Sequence, residues 1–230
     1  MDLVLLRRWG DGIWIGEAPL RFYGLPFGAR MTIVRLPDGN LWLHSPLRIT
    51  PALAAEIESL GTVRHVVSPN KLHHLHLASA KEAFPTAKLH APPGLRSKRR
   101  DLAFDGELGS EPHPDWADAL DQLVIEGSRV MQEVVFLHRA THTLIVADLC
   151  ENFGRWSPWP VRTLARIAFM YGRPCMPPDW RLSFRDRAAT RRSFSRLLAW
   201  DFERVILAHG GLLEAGARRI FEREYAWALA

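Results

Sequence analysis

The chain has 230 residues, of which 47% are hydrophobic and 24% are charged, and its formal net charge is +5. These values are ordinary for a globular protein, so disorder, collagen and coiled coil are excluded as the main structure. No stretch approaches the roughly 18 apolar residues of a membrane span, and two cysteines are too few for a disulfide framework. Arg7 and Arg8 interrupt the N-terminal apolar run where a signal peptide would continue, so we expect a cytoplasmic protein with free thiols.

The first half of the chain alternates strand and helix patterns. Apolar runs at 30–36 and 41–44 flank a Pro-Asp-Gly-Asn turn, which predicts a hairpin. Thr50 and Pro51 then open a helix that ends at Gly61. A strand at 63–67, a helix at 75–84 and a strand at 87–91 follow, an order typical of α/β proteins.

The second half returns to strands and ends in helices. Strands are predicted at 122–126, 134–138, 143–148 and 204–208, and helices at 159–171, 185–200 and 215–229. The helix at 185–200 is rich in arginine: residues 181–196 contain six arginines and a single acid. Its periodicity predicts that Phe194, Leu197 and Leu198 pack inward and that Arg185, Arg192 and Arg196 face solvent.

Histidine and aspartate side chains follow three of the apolar strands. His73, His74 and His76 come after the strand at 63–67, Asp148 ends the apolar run 144–147, and His209 ends the run 205–208. In α/β sheets, ligands bind at the carboxyl edge of the strands. Two or three histidines with one carboxylate form a ligand set for zinc or iron.

In this order the segments resemble the metallo-β-lactamase superfamily. The hallmark Thr-His-x-His-x-Asp-His loop of that family is represented by Ser-Pro-Asn-Lys-Leu-His-His at 68–74, and the likeness continues at 78–92, 144–149 and 207–211. The resemblance implies a four-layer αββα sandwich, an α/β fold, formed as one domain by residues 1–230. The altered loop is similar to a branch known only as a domain of unknown function.

The resemblance also implies which metal site is retained. Family members usually hold two metals, but Pro69 and Lys71 stand where two ligands of the first site would be, and the third falls near Arg129. The second site corresponds to His73, His74, Asp148 and His209. We therefore expect one metal ion, zinc or else iron or manganese.

Two functions follow from this pattern. The first is a mononuclear metal-dependent hydrolase of a small-molecule ester, amide, lactone or phosphoester, in which Lys71 and Arg129 hold an anionic oxygen of the substrate. Glu151 is a candidate general base. The alternative is a non-catalytic protein on the same fold with a vestigial metal site, whose arginine-rich helix docks an acidic partner or nucleic acid.

Overall fold

The protein is described by a computed structural model of residues 5–230, so the first four residues of the N-terminal apolar run lie outside the described residues. Thirteen strands are β1 (Leu6–Gly10), β2 (Ile13–Ala18), β3 (Arg21–Phe22), β4 (Leu25–Pro26), β5 (Ala29–Arg35), β6 (Leu41–His44), β7 (Val63–Val67), β8 (Lys88–Ala91), β9 (Gly106–Glu107), β10 (Leu120–Ile125), β11 (Glu133–His138), β12 (Thr143–Ile145) and β13 (Arg204–Ile206) within that range. The α-helices of the same range are α1 (Pro51–Glu58), α2 (Leu77–Ala83), α3 (Leu95–Lys98), α4 (Trp159–Ile167), α5 (Pro178–Arg181), α6 (Arg187–Ala199), α7 (Ala217–Glu224) and α8 (Ala226–Leu229).

The strands form two main sheets. The first has the order β1-β2-β5-β6-β7-β8-β9, and the second has the order β10-β11-β12-β13. Pairing in the first sheet is antiparallel up to β6 and parallel from β6 to β9. In the second sheet only β12 and β13 are parallel. β3 and β4 form a separate small hairpin between β2 and β5.

Three hydrophobic clusters define the layers. Between the sheets, Trp42 and Val34 of the first sheet share a cluster with Phe136 and Ile206 of the second. The outer face of the first sheet packs against α1, α2 and α3, and that of the second packs against α6, α7 and α8. Helices on both outer faces of two stacked sheets give the expected αββα order.

The helices begin and end where the local chemistry requires. Asp186 caps α6 by accepting a hydrogen bond from the backbone N–H of Ala189 at 3.0 Å, so this helix begins at Arg187 and not at 185. Phe169 adopts a left-handed conformation, with φ of 57°, and α4 ends two residues before it. The C-terminal helix is interrupted at Tyr225 and becomes α7 and α8.

The expected faces of the arginine-rich helix are confirmed. Phe194, Leu197 and Leu198 are buried. Arg185, Arg192 and Arg196 are exposed. None of the helices in residues 5–230 combines the length and the apolar character that crossing a bilayer requires.

Candidate metal centre

Three of the predicted ligands meet at one edge of the sandwich. His73 comes from the loop after β7, Asp148 follows β12, and His209 follows β13. One ligating atom from each residue lies within 4.8 Å of the other two. His73 Nε2 is 3.2 Å from Asp148 Oδ1, and His209 Nε2 is 3.5 Å from the same oxygen.

The second nitrogen of each imidazole fixes the orientation of its ring. His209 Nδ1 donates a hydrogen bond to the carbonyl oxygen of Gly28 at 2.7 Å, and His73 Nδ1 is 2.6 Å from the hydroxyl oxygen of Ser45. Ser45 itself has a positive φ of 53°, an uncommon conformation for a residue with a side chain. Both rings therefore aim Nε2 at Asp148, as in metal-ligating histidines whose other nitrogen is hydrogen-bonded.

The charges of the three groups are coupled. Burial alone would raise the pKa of Asp148, but the adjacent His73, with His209 and Asn70, holds that pKa well below its usual range. Burial alone would lower the pKa of His73, but the Asp148 carboxylate reverses the effect and raises it. Burial lowers the pKa of His209. The group thus contains an ionised carboxylate between two imidazoles, an arrangement that attracts a cation.

A buried network holds Asp148 in position. The Glu133 carboxylate accepts hydrogen bonds from the backbone N–H groups of Ala147, Asp148 and Leu149. Asn70 Nδ2 donates to Glu133 at 2.8 Å and to Asp148 at 2.9 Å. Burial and the Asp148 charge raise the pKa of Glu133 to about 7. This network joins β11 to two of the loops that carry the centre.

Sequence reasoning missed both Asn70 and Glu133. The signal for Glu133 was a single acid directly before the apolar run 134–137 of strand β11, which is buried along its whole length. A fully buried carboxylate in such a strand requires several hydrogen-bond partners. Asn70 gave a weaker signal because asparagine is common in turns for purely local reasons. Its Oδ1 does make such local contacts, accepting from the backbone N–H groups of Leu72 and His73.

His74 lies apart from the other three predicted ligands. Its Nδ1 is 3.0 Å from Arg99 Nη1, which also donates to the His74 carbonyl oxygen at 2.9 Å. Consecutive residues of this turn point in different directions, and Arg99 at the end of α3 binds the second imidazole. The structure therefore brings together three of the four residues that the resemblance implied.

Lys71 and Arg129 are not brought together at the centre. The Lys71 side chain lies over Gly94, where its Nζ would be 3.2 Å from a Cβ at that position. Arg129 is exposed, and its backbone N–H donates to the Ser183 carbonyl oxygen. Neither side chain lines the cavity beside the centre, which differs from the expected anion-holding arrangement.

The cavity has a volume of about 480 Å³ and opens at the three converging residues. This is within the usual range for small-molecule sites. The walls are mostly apolar and come from the β3–β4 hairpin, α4, α5 and the loops between them. His76 also lines this cavity.

Glu151 reaches the same cavity from the loop after Asp148. Among residues 5–230 no hydrogen bond to its carboxyl group is present, while its backbone pairs with Cys175. Burial, together with the neighbouring charges of Asp148 and Asp179, raises the pKa of Glu151 well above its usual range. A carboxyl group that takes up a proton more readily than an ordinary glutamate therefore faces the cavity.

The sequence between residues 10 and 162 matches the family model named Domain of unknown function (DUF4336). The chain belongs to this family. No curated protein matches it significantly in sequence. The family model covers all of the first sheet beyond β1 and two of the three converging residues, His73 and Asp148.

Solved structures identify the fold of this DUF4336 chain. The metallo-β-lactamase DIM-1, crystallised after exposure to ceftazidime, is 12% identical with a TM-score of 0.68, over 99% of this chain and 98% of that one. The mono-zinc form of FIM-1 from Pseudomonas aeruginosa is 15% identical with a TM-score of 0.63, over 98% and 94%. The metal-soaked flavodiiron core of Flv1 from Synechocystis sp. PCC6803 is 13% identical with a TM-score of 0.66, over 98% and 60%. The expected metallo-β-lactamase fold, in a divergent branch of unknown function, is confirmed.

Proposed function

We propose that this protein is a hydrolase that uses a single metal ion held by His73, Asp148 and His209. The observation that carries the proposal is the convergence of these side chains, with both Nε2 atoms aimed at one carboxylate, at the end of a ligand-sized cavity. This revises the ligand set implied by the family resemblance, since His74 is not included.

The donor set fits such an ion. Two imidazole nitrogens and one carboxylate suit zinc, iron and manganese, and catalytic zinc sites commonly have three protein ligands and an open position. The ring orientations support the same assignment because the Gly28 and Ser45 contacts leave Nε2 of each histidine available.

The metal ion and the surrounding side chains would have different roles in hydrolysis. When bound, the ion would supply Lewis acidity that polarises a carbonyl group and lowers the pKa of water. Glu133 and Asn70 hold the Asp148 loop, and the apolar cavity wall limits access of bulk water. The raised pKa of Glu151 at the cavity wall suits donation of a proton to a departing alcohol or amine, in place of the general-base role that the sequence suggested.

We also propose that residues 1–230 act as one domain in the cytoplasm on a small-molecule substrate. Two free, buried cysteines support the location, since they form no disulfide. The cluster between the sheets, which contains side chains from β1 to β13, supports a single folding unit.

The test is hydrolysis of a panel of esters, lactones and amides by chelator-treated protein before and after addition of zinc, manganese or ferrous iron. We expect activity to appear with the metal in the wild-type protein and to be lost in His73→Ala. His74→Ala is the matched control, a histidine one residue away that should retain activity. Metal-independent turnover, or loss of activity in His74→Ala alone, would overturn the proposal.

A further inference from the structure

The walls of the cavity suggest what kind of substrate enters it. Leu20, Phe22, Leu25 and Phe27 contribute apolar surface from the hairpin region, and Val161 and Leu164 contribute it from α4. Leu47, Met170 and Trp180 complete the wall from other loops and from α5. A site built this way gains its binding free energy from apolar contact.

Apart from the histidines, the ionisable side chains that line the cavity are acidic. Asp148, Glu151 and Asp179 line it, and within residues 5–230 its lining includes no lysine or arginine. A phosphate or carboxylate group would lose hydration on entry without gaining a cationic partner from the chain. The lining thus disfavours an anionic substrate. This differs from the sequence-based expectation that Lys71 and Arg129 hold an anionic oxygen of the substrate.

The rim of the cavity carries apolar side chains that remain in contact with water. Thirteen large hydrophobic side chains are exposed in the described residues, and five of them also line the cavity: Phe22, Tyr23, Leu72, Leu75 and Leu164. Isolated exposed hydrophobic residues need no explanation, but a group of them around one opening marks a binding site. A ligand with an extended apolar group would cover this rim as it fills the interior.

We propose that the cavity binds the uncharged, apolar acyl or aryl group of a neutral carboxylic ester or related acyl compound, placing its carbonyl at the His73–Asp148–His209 end. This inference rests on the proposed hydrolase function for the identity of the reacting bond. The binding of the apolar group is independent of turnover, so the two can be tested separately.

The experiment measures ligand binding by metal-free His73→Ala protein, which takes hydrolysis out of the readout. Calorimetry with neutral 2-alkanones of increasing chain length should show the dissociation constant falling about two- to fourfold for each added methylene until the cavity is filled. Decyl sulfate should bind at least about tenfold more weakly than 2-dodecanone, since the cavity lining carries no cationic partner. A dissociation constant that does not depend on chain length, or tighter binding of decyl sulfate or of decyltrimethylammonium, would overturn the inference.

Two variants on α4 test whether 2-dodecanone binds in this cavity. Leu164→Glu places a charge on the rim and should weaken 2-dodecanone binding about tenfold or more. Ile167→Glu makes the same change one helical turn away, at an exposed residue that does not line the cavity, and should leave the dissociation constant within about twofold. Leu75→Glu repeats the test on the opposite loop if Leu164→Glu has a changed circular dichroism spectrum. Equal effects of the two α4 variants would contradict the placement.

The outcomes separate the inference from the function on which it rests. Chain-length-dependent binding without metal-dependent turnover would leave the apolar site standing and remove the hydrolase. Metal-dependent turnover with equal kcat/KM for short and long esters, and no binding of alkanones, would support the hydrolase and overturn the apolar binding site.

Discussion

At the scale of single residues, the centre depends on side chains whose role is to position others. Asn70 contacts both Glu133 and Asp148, and Ser45 contacts His73. Each of these contacts satisfies a buried polar group that would otherwise oppose folding. The residues that orient the centre are therefore also residues that stabilise the fold around it.

Replacing Glu133 tests this coupling. Glu133→Gln leaves one acceptor oxygen for three backbone N–H groups and introduces an amide donor that faces them. We expect the free energy of unfolding to fall by roughly 2–4 kcal/mol in urea titrations, with weaker metal binding as the Asp148 loop shifts. Glu107→Gln, at an exposed ion pair 3.7 Å from Arg96, should change stability by less than about 0.5 kcal/mol. Equal stability of the two variants would contradict the positioning role of Glu133.

His44 gives a pH-dependent prediction. Burial, together with the nearby His73 charge, lowers the pKa of His44 from 6.5 to about 3. The unfolded chain therefore binds a proton at this residue below pH 6.5 while the folded chain does not, so acidification favours unfolding. In His44→Phe this acid-induced loss of stability is removed, because phenylalanine does not titrate. Its ring can pack against Trp42 and Phe136 as the imidazole does.

The measurement for His44 is a comparison of unfolding free energies at two pH values. Relative to wild type, His44→Phe should gain roughly 2 kcal/mol between pH 7.5 and pH 5. A difference between the two proteins that stays constant over that range would show that His44 is protonated equally in both states.

At the scale of elements, loop contacts decide how α6 sits on the second sheet. The Gly127 carbonyl oxygen accepts hydrogen bonds from the backbone N–H groups of Arg185 and Asp186, just before α6 begins. Gly127 has a φ of 102°, and a Cβ there would clash with the Thr190 hydroxyl and lie 2.9 Å from the Asp186 carbonyl oxygen. The helix can approach this closely because residue 127 has no side chain.

A glycine pair tests that close approach. Gly127→Ala should destabilise the protein by roughly 2–4 kcal/mol, since both the backbone conformation and the contact are incompatible with a side chain. Gly109→Ala is the matched control, because no atom lies within 4 Å of a Cβ there. Thermal unfolding of both variants measures the difference, and similar melting temperatures would show that α6 can shift without cost.

The arginines of α6 are solvent-exposed, and Arg196 pairs with Glu111 at 3.0 Å. The alternative function, in which this helix docks an acidic partner or nucleic acid, stays a prediction. Since the apolar face of α6 is packed into the protein's own core, only the arginine face is available to such a partner.

At the scale of the whole molecule, hydrophobic patterns predicted most of the strands and helices, and the resemblance to the metallo-β-lactamase superfamily implied the αββα architecture into which they fold. The helix α6 shows the 3.6-residue period, and strands such as β7 and β11 show as short runs rich in β-branched and apolar residues. The short elements β3, β4, α3 and α5 carry too few residues to show a period. The strands β3 and β4 and the helix α5 form part of the cavity wall, and Arg99, which binds His74, follows α3. The direction of a side chain within a loop depends on contacts from distant segments, which sequence spacing does not determine.

The candidate site divides in the same way. His73, Asp148 and His209 each follow a buried strand, so their convergence was predictable from topology. The positions of His74, Lys71 and Arg129 depend on Arg99, Gly94 and the loop at Ser183, and no local pattern marks those contacts. The apolar cavity was likewise hidden because its lining is drawn from segments separated by more than 100 residues.

The most direct measurement is an anomalous-scattering map from a crystal grown with zinc. We expect one metal peak, about 2.0–2.2 Å from Nε2 of His73, Nε2 of His209 and a carboxylate oxygen of Asp148. We also expect His74 to remain bound to Arg99 and no second peak to appear beside Lys71. A map with no peak between His73, Asp148 and His209, or with the metal bound by His74 instead, would contradict this expectation.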